Sequence, residues 1–500
     1  MQLEVRELIN TLYDGRVYGV NHDRKTITHL TNDTRQVIQN SAFIAIRGER
    51  FDGHQAIEEV VDKGAILIVV EELPDQWQQF PVTFLHVQNT VRAQAILANQ
   101  FYHEPSKQLR VVAVTGTNGK TTVSSMISDL LSTLNHRTGV IGTLHYKVGD
   151  KIYPAVNTTP HSLALQGLFH EMVEEKCDTA IIEASSHALE IGRLWFTDVD
   201  CAIFTNLTRE HLDFHQTMER YAYAKRLLFA QLGQEFRQGR PKLAIINEDD
   251  PYASLMAQGT SASVLTFSRK NPQATIYCKN MTHTISGMHF DLVYQSTTYP
   301  VFLPMSGEYN VSNYMAAFLC LTNSYGYSPE EVLAATKSFT GVEGRMQTIQ
   351  VGQPFEAIVD FAHTTDAVEN VLKELSERKT NHLIVLFGHS GGNRDSGARP
   401  EFGDILFRYA DKIVFTADNP RNEPLDKIWS EMIQDHDEKP YWTIEDRAEA
   451  IEHAVSIAEA KDIILFAGKG GEGVQIIGDT EYPYNEAQVV EQALQKYYSH

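Results

Sequence analysis

At residues 111–116 the run VVAVTG passes directly into TNGKTT and then into TTVSSMISDLLSTL, an apolar strand, a glycine turn and a helix in immediate succession. Further short apolar runs stand at TAIIEA (179–184), CAIFTN (201–206) and KLAIIN (242–247), with helix-like sequence between them. Apolar runs without polar alternation, spaced by helices, imply a parallel sheet covered on both faces. The same signature recurs earlier, at SAFIAIRG (41–48) and AILIVV (65–70), in a stretch that ends near HEPSK. It recurs again at EAIVDF (356–361), HLIVLFG (382–388), KIVFTA (412–417) and DIILFAG (462–468). Only 276–303 departs, its alternating IYCKNMTH and FDLVYQS predicting antiparallel strands appended to the central sheet. After it, NVSNYMAAFLCLTNSYG reads as a buried helix.

The chain has 500 residues, which allows roughly two to four domains at about 100–200 residues each. With 42% hydrophobic and 21% charged residues it is neither disordered nor fibrous. Forty-three Lys+Arg against 64 Asp+Glu give a net charge of −21, which repels nucleic acid and anionic membrane. No run approaches a membrane span, and the N-terminus has no apolar core of the secretory kind, so a cytoplasmic protein without membrane insertion is expected. Cys177, Cys201, Cys278 and Cys320 are far apart and contain no CxxC pair, which fits reduced thiols.

The turn Gly116-Thr117-Asn118-Gly119-Lys120-Thr121-Thr122 carries the chemistry most directly. Main-chain N–H groups of such a turn and the helix N-terminus form a positive concavity for phosphates. Lys120 can bring a charge to the β/γ-phosphates, and the Thr121 hydroxyl can ligate Mg²⁺. The loop is shorter than the usual four-residue spacing, but strand and helix flank it as nucleotide binding requires.

VTGTNGKTT, NTTP at 157–160, EASSHALEIGRL at 183–194, TNLTREHLDFHQTMERYAYAKRLLF at 205–229 and DNPR at 418–421 together resemble the Mur ligases of peptidoglycan synthesis. The resemblance extends to TNDTRQVIQNSAFIAIRGERFDGHQ at 31–55 and so covers nearly the whole chain. It implies an α/β, three-domain Mur ligase architecture with a central P-loop parallel-sheet domain and a C-terminal Rossmann-like domain. The expected units are 1–110 (UDP-binding), 111–341 (ATPase) and 342–500 (amino-acid-binding). It implies an ATP-dependent ligase that adds a diamino acid, foremost meso-2,6-diaminopimelate, to UDP-MurNAc-L-Ala-D-Glu through an acyl phosphate, acting as a monomer.

By resemblance, Thr121, Glu183 and His211 hold the first of two Mg²⁺ ions. Lys225 is expected to carry a CO₂-derived carbamate, which turns an ammonium into an anion able to support the second metal. Asn310, Arg345 and Asp360 would help the 116–122 turn hold ATP. Thr34, Arg35, His54 and Gln55 are implied at the uridine end of the second substrate, and Thr158, Thr159, Ser185 and Arg193 at its peptidyl end. Adjacent Ser185, Ser186 and His187 make no hydrolase triad, since no GxSxG elbow surrounds them. Arg394, Asp418, Asn419, Pro420, Arg421, Gly468 and Glu472 would receive the amino acid. A guanidinium grips a carboxylate bidentately and repels a bare ammonium, so Arg421 favours diaminopimelate over lysine.

The third block departs from the family pattern. GHSGGNRDSGARP stands for GCGGxRDxGKRP, GKGGEG for GKGHE, and DFAHTTD for DYAHTPD. Addition of L-lysine or another amino acid, and a non-catalytic nucleotide-binding homologue, therefore stay open at this level.

Overall fold

The computed structural model describes all residues except 49–50, 238, 285, 393–395 and 499–500. Its strands gather into three main sheets in chain order. The first has the order Arg16–Gly19, Thr83–His86, Ala65–Val70, Ser41–Ile44, His29–Thr31; its first pair is antiparallel and the rest parallel.

Among the described residues the central sheet has eleven strands. Its parallel middle runs Thr138–Ile141, Thr179–Glu183, Arg110–Thr115, Cys201–Phe204, Leu243–Asn247, Ser263–Ser268. The apolar runs are continuous because both faces are covered. Val112 and Val114 face a core built with the helices Lys120–Thr133 and Glu308–Leu319. Val111 and Ala113 face the opposite core, with Ser162–Glu174 and Met218–Ala230. Ile276–Thr284, Gly287–Tyr294 and Thr297–Leu303 extend one edge as an antiparallel meander, as their alternation predicts. At the other edge lies a hairpin, His145–Val148 with Lys151–Pro154, that sequence reading did not anticipate. The buried helix begins at Glu308 and ends in a six-residue π-helical stretch, Cys320–Tyr325.

The third sheet is ordered Gln347–Thr348, Glu356–Asp360, Ile463–Ala467, Leu383–Phe387, Lys412–Phe415, Tyr441–Thr443, all parallel after the first pair. Among the described residues no helix is long and apolar enough to cross a membrane.

Candidate active site

The strand Arg110–Thr115 lies between Thr179–Glu183 and Cys201–Phe204, so the glycine turn that follows it emerges between two other strand ends. Ligands bind at such C-terminal edges in parallel sheets. The Cys201–Phe204 end clamps the turn. The Asn206 carbonyl accepts the Thr117 N–H at 2.8 Å, and its side chain accepts the Asn118 N–H at 2.9 Å. Thr205 donates to the Asn118 carbonyl at 2.6 Å. Gly116 has φ +152°, and a Cβ there would sit 1.8 Å from the Thr205 hydroxyl, so only glycine fits. Gly119 has φ +87° and faces the Asn313 side chain.

The N–H groups opening the Lys120–Thr133 helix have no intrahelical partners, which leaves them for an anion. Lys120 folds over the turn, donating to the Gly116 carbonyl at 2.9 Å and the Thr117 carbonyl at 2.8 Å. Thr122 is buried beneath it.

At the neighbouring strand end, Glu183 is 1% exposed. Its carboxylate accepts the Thr121 hydroxyl at 3.0 Å, the Thr143 N–H at 3.1 Å and the Thr143 hydroxyl at 3.0 Å. The Arg345 guanidinium donates to Thr121 Oγ1 at 3.2 Å and lies 4.3 Å over the Phe361 ring. Burial draws that guanidinium down, while Asp360 and Glu183 oppose the shift. Asp360 spends both carboxyl oxygens on main-chain N–H groups, Met346 at 2.7 Å and Ala362 at 2.8 Å, so it fixes the loop that aims Arg345. Asn310 donates to the Ser306 carbonyl and accepts from Asn313, the residue against Gly119.

Lys225 is 1% exposed on the Met218–Ala230 helix. Its Nζ donates to the Gly116 carbonyl at 2.8 Å and lies 4.5 Å from the Tyr221 ring centre. Burial, followed by the nearby charge of Lys120, holds this amine well below the usual lysine range. Tyr221 in turn shares a hydrogen bond with Thr117. His211, at φ 55°, is exposed and 3.6 Å from Glu210, with its ring against His187. Burial would raise Glu210, but His211, Lys120, His363 and Lys225 outweigh it and hold its carboxyl below the usual range.

Thr121 and Glu183 present hard oxygen donors beside the phosphate turn, the set that suits Mg²⁺. Among the described residues no three His, Cys, Asp or Glu side chains converge as a cage. Mg²⁺ bound through one or two carboxylates plus substrate phosphates needs none.

The residues expected at the peptidyl end assemble next to Glu183. Thr158 bonds Thr143 at 3.1 Å; Thr159 donates to the Glu183 carbonyl at 2.6 Å and accepts the Ser185 N–H. Arg193 donates to the Thr159 carbonyl at 2.7 Å. The residues expected at the uridine end sit apart, in short 3-10 turns beside the first sheet. Arg35 is paired with Asp33 and largely exposed, the Thr34 carbonyl accepts from Lys63, and Gln55 is exposed. His54 accepts the Glu71 N–H at Nε2, so its Nδ1 proton goes to Asp52 at 2.7 Å. With both ring nitrogens committed, His54 shapes its loop and has none left for a ligand.

In the third sheet, neighbouring strand ends supply the remaining candidates. Lys469, fully buried, gathers them, donating to Asn419 Oδ1 at 2.7 Å and Glu472 Oε2 at 2.8 Å, with Asp418 Oδ1 at 3.3 Å. Ser390 donates to the other Asp418 oxygen at 2.5 Å. Arg421 has φ 54°, and its buried Nε makes no hydrogen bond among the described residues. Pro420 is buried and Gly468 has φ +103°. Gly344 approaches the Gly470–Gly471 turn so closely that a Cβ would lie 1.9 Å from the Gly471 nitrogen. That contact sets the Arg345 loop against the Glu472 loop. Arg394 lies outside the described residues. Sequence reading missed Thr143, Asn206, Asn313, Tyr221 and Lys469; TN directly after the strand CAIF is the one local signal among them.

Three family models match in chain order: the Mur ligase family catalytic domain at 26–102, the Mur ligase middle domain at 114–321, and the Mur ligase glutamate ligase domain at 344–470. The UDP-N-acetylmuramoyl-L-alanyl-D-glutamate–2,6-diaminopimelate ligase of Bacillus cereus is 38% identical over 492 residues, 98% of each chain. The Listeria innocua protein of the same name is 40% identical over 471 residues, 94% of each. A solved structure bearing that name superposes with a TM-score of 0.70 at 31% identity, over 99% of both chains. This chain belongs to the Mur ligase family.

Proposed function

We propose that the chain is an ATP-dependent ligase of peptidoglycan precursor synthesis that joins meso-2,6-diaminopimelate to the D-glutamyl γ-carboxyl of UDP-MurNAc-L-Ala-D-Glu. The observation that carries this reading is the meeting of Thr121, Glu183 and Arg345. There the 116–122 turn, a buried carboxylate and a cation from the third block meet, with Thr158 and Thr159 adjoining, which supports a phosphate site beside the peptidyl end. Units 1–110, 111–341 and 342–500 would take uridine diphosphate, ATP and amino acid. The partners are small molecules, with no nucleic acid and no membrane insertion, and the enzyme acts as a cytoplasmic monomer.

A γ-carboxylate oxygen attacks the γ-phosphorus of ATP, and the bond to the bridging oxygen breaks to release ADP. Lys120 and the helix amides hold the phosphates in line, while Arg345 offsets the charge that accumulates on them. The amine of the incoming amino acid then loses a proton and attacks the acyl carbon, and phosphate departs with the C–O bonding pair. Thr158, Thr159, Ser185 and Arg193 orient the peptidyl end for both steps. Arg421 would grip the distal carboxylate, with Asp418 and Glu472 as acceptors for its ammonium groups.

Mg²⁺ would be held by Thr121, Glu183, His211 and a Lys225 carbamate, and supplies neutralisation of the crowded phosphate charge. Burial holds the Lys225 amine well below the usual lysine range, which favours the unprotonated form that adds to CO₂, forming an N–C bond and releasing one proton. Phosphate release with UDP-MurNAc-L-Ala-D-Glu and ATP, comparing meso-diaminopimelate, L-lysine and L-ornithine, tests the assignment. Turnover with diaminopimelate alone is expected; turnover with none of the three would overturn it.

A further inference from the structure

A buried amide crosses the joint between the first sheet's helix and the central sheet's helix. Gln94, 3% exposed on the helix Thr90–Phe101, accepts from Asn32 Nδ2 at 2.8 Å through its carbonyl oxygen. Its amide nitrogen donates to Ser162 Oγ at 3.2 Å. Asn32 stands in the turn that leads to Thr34 and Arg35. Ser162 opens the helix Ser162–Glu174, after Thr158, Thr159, Pro160 and the capping His161. One side chain therefore ties the segment at the uridine end to the segment at the peptidyl end.

The surrounding contact leaves little slack. The helices Thr90–Phe101 and Ser162–Glu174 pack together, Tyr102 stacks on His170 at 5.4 Å between ring centres, and a Cβ on Gly167 would come within 3.3 Å of the Tyr102 hydroxyl. An apolar contact alone tolerates sliding, whereas a buried amide with donor and acceptor both engaged is satisfied in one register. We propose that Gln94 is a positioning residue that fixes the distance between the two ends of the extended sugar-nucleotide substrate. This deepens the functional reading above and rests on it. A ligand that reaches only one end is indifferent to that distance.

The test is calorimetric binding of UDP-MurNAc-L-Ala-D-Glu and of UDP alone to wild type, Gln94→Leu and Ser162→Ala. The leucine keeps the volume and removes both hydrogen bonds, and Ser162→Ala cuts the same link from the other side without adding bulk. Each variant should bind the whole substrate roughly tenfold more weakly and bind UDP within about twofold of wild type. Equal weakening for both ligands, or unchanged affinity for the whole substrate, would overturn the role of Gln94 alone. A wild-type protein that bound neither would overturn the functional reading and this inference together.

Discussion

Lys469→Met replaces the buried cation beneath the proposed amino-acid loops with a side chain of similar length. Lys469 holds Asn419, Glu472 and the Val474 carbonyl within 2.8 Å and Asp418 at 3.3 Å. Removing one partner of a buried ionic cluster costs about 3–5 kcal/mol when the other charge stays unpaired. Asp418 is 7% exposed, so its share is nearly undiscounted, while Glu472 is open enough to solvent that its share is smaller. If half of this cost falls on the loop geometry, KM for diaminopimelate rises roughly ten- to sixtyfold, with KM for ATP little changed. The pH dependence has a definite sign. Burial raises the Asp418 carboxyl, but Lys469 and then Arg447 outweigh it and leave it below the usual range. Its stabilising effect is present above the unfolded carboxylate pKa and is lost as pH falls through that lowered value. Without Lys469 the burial contribution gains ground, so the acid limb of activity moves to higher pH. Steady-state kinetics with each substrate varied, across pH, is the assay. A proportionate loss in both KM values, or an unmoved acid limb, would refute the reasoning.

Lys225→Ala should lower turnover by about a hundredfold or more, with partial recovery by short carboxylic acids, and should abolish a carbamate signal in ¹³C NMR with labelled bicarbonate. Undiminished activity would refute the carbamate. Gly116→Ala should remove ADP binding by calorimetry, since the added methyl meets Thr205; retained binding would refute the clamp. Glu486→Gln leaves Arg447 fully buried without its bidentate partner, beside the Ala417 and Ala467 carbonyls that begin both proposed amino-acid loops. A loss of about 3–5 kcal/mol and a fall in Tm of roughly 10 °C are expected by scanning calorimetry, and an unchanged Tm would contradict the pair's role.

Strands buried on both faces were legible because nothing polar interrupts them: TAIIEA became Thr179–Glu183, and KIVFTA became Lys412–Phe415. SAFIAIRG stopped at Ile44, short of the expected length. The hairpin His145–Pro154 was illegible, since HYKV and KIYP mix polar with apolar residues and exist as strands through antiparallel pairing on Thr138–Ile141. The same division holds in the candidate site. Lys120 and Glu183 stand where a strand ends, which sequence marks. Asn206 and Gln94 take their significance from partners 62 or more residues away, and Lys469 joins nearby Glu472 to Asn419, 50 residues away; no local pattern reports those distant partners. His54 was read from its motif, and what that motif does not reveal is that Asp52 and Glu71 occupy its ring.

The acyl phosphate is the step on which every assigned role converges. UDP-MurNAc-L-Ala-D-Glu labelled with ¹⁸O in both γ-carboxyl oxygens, turned over with ATP and diaminopimelate, reports it through the mass of the released phosphate. Transfer of a single ¹⁸O atom into each phosphate is expected, because the attacking carboxylate oxygen leaves with phosphorus. Phosphate free of label would mean that the carboxyl never bonded to it, and the account would be wrong.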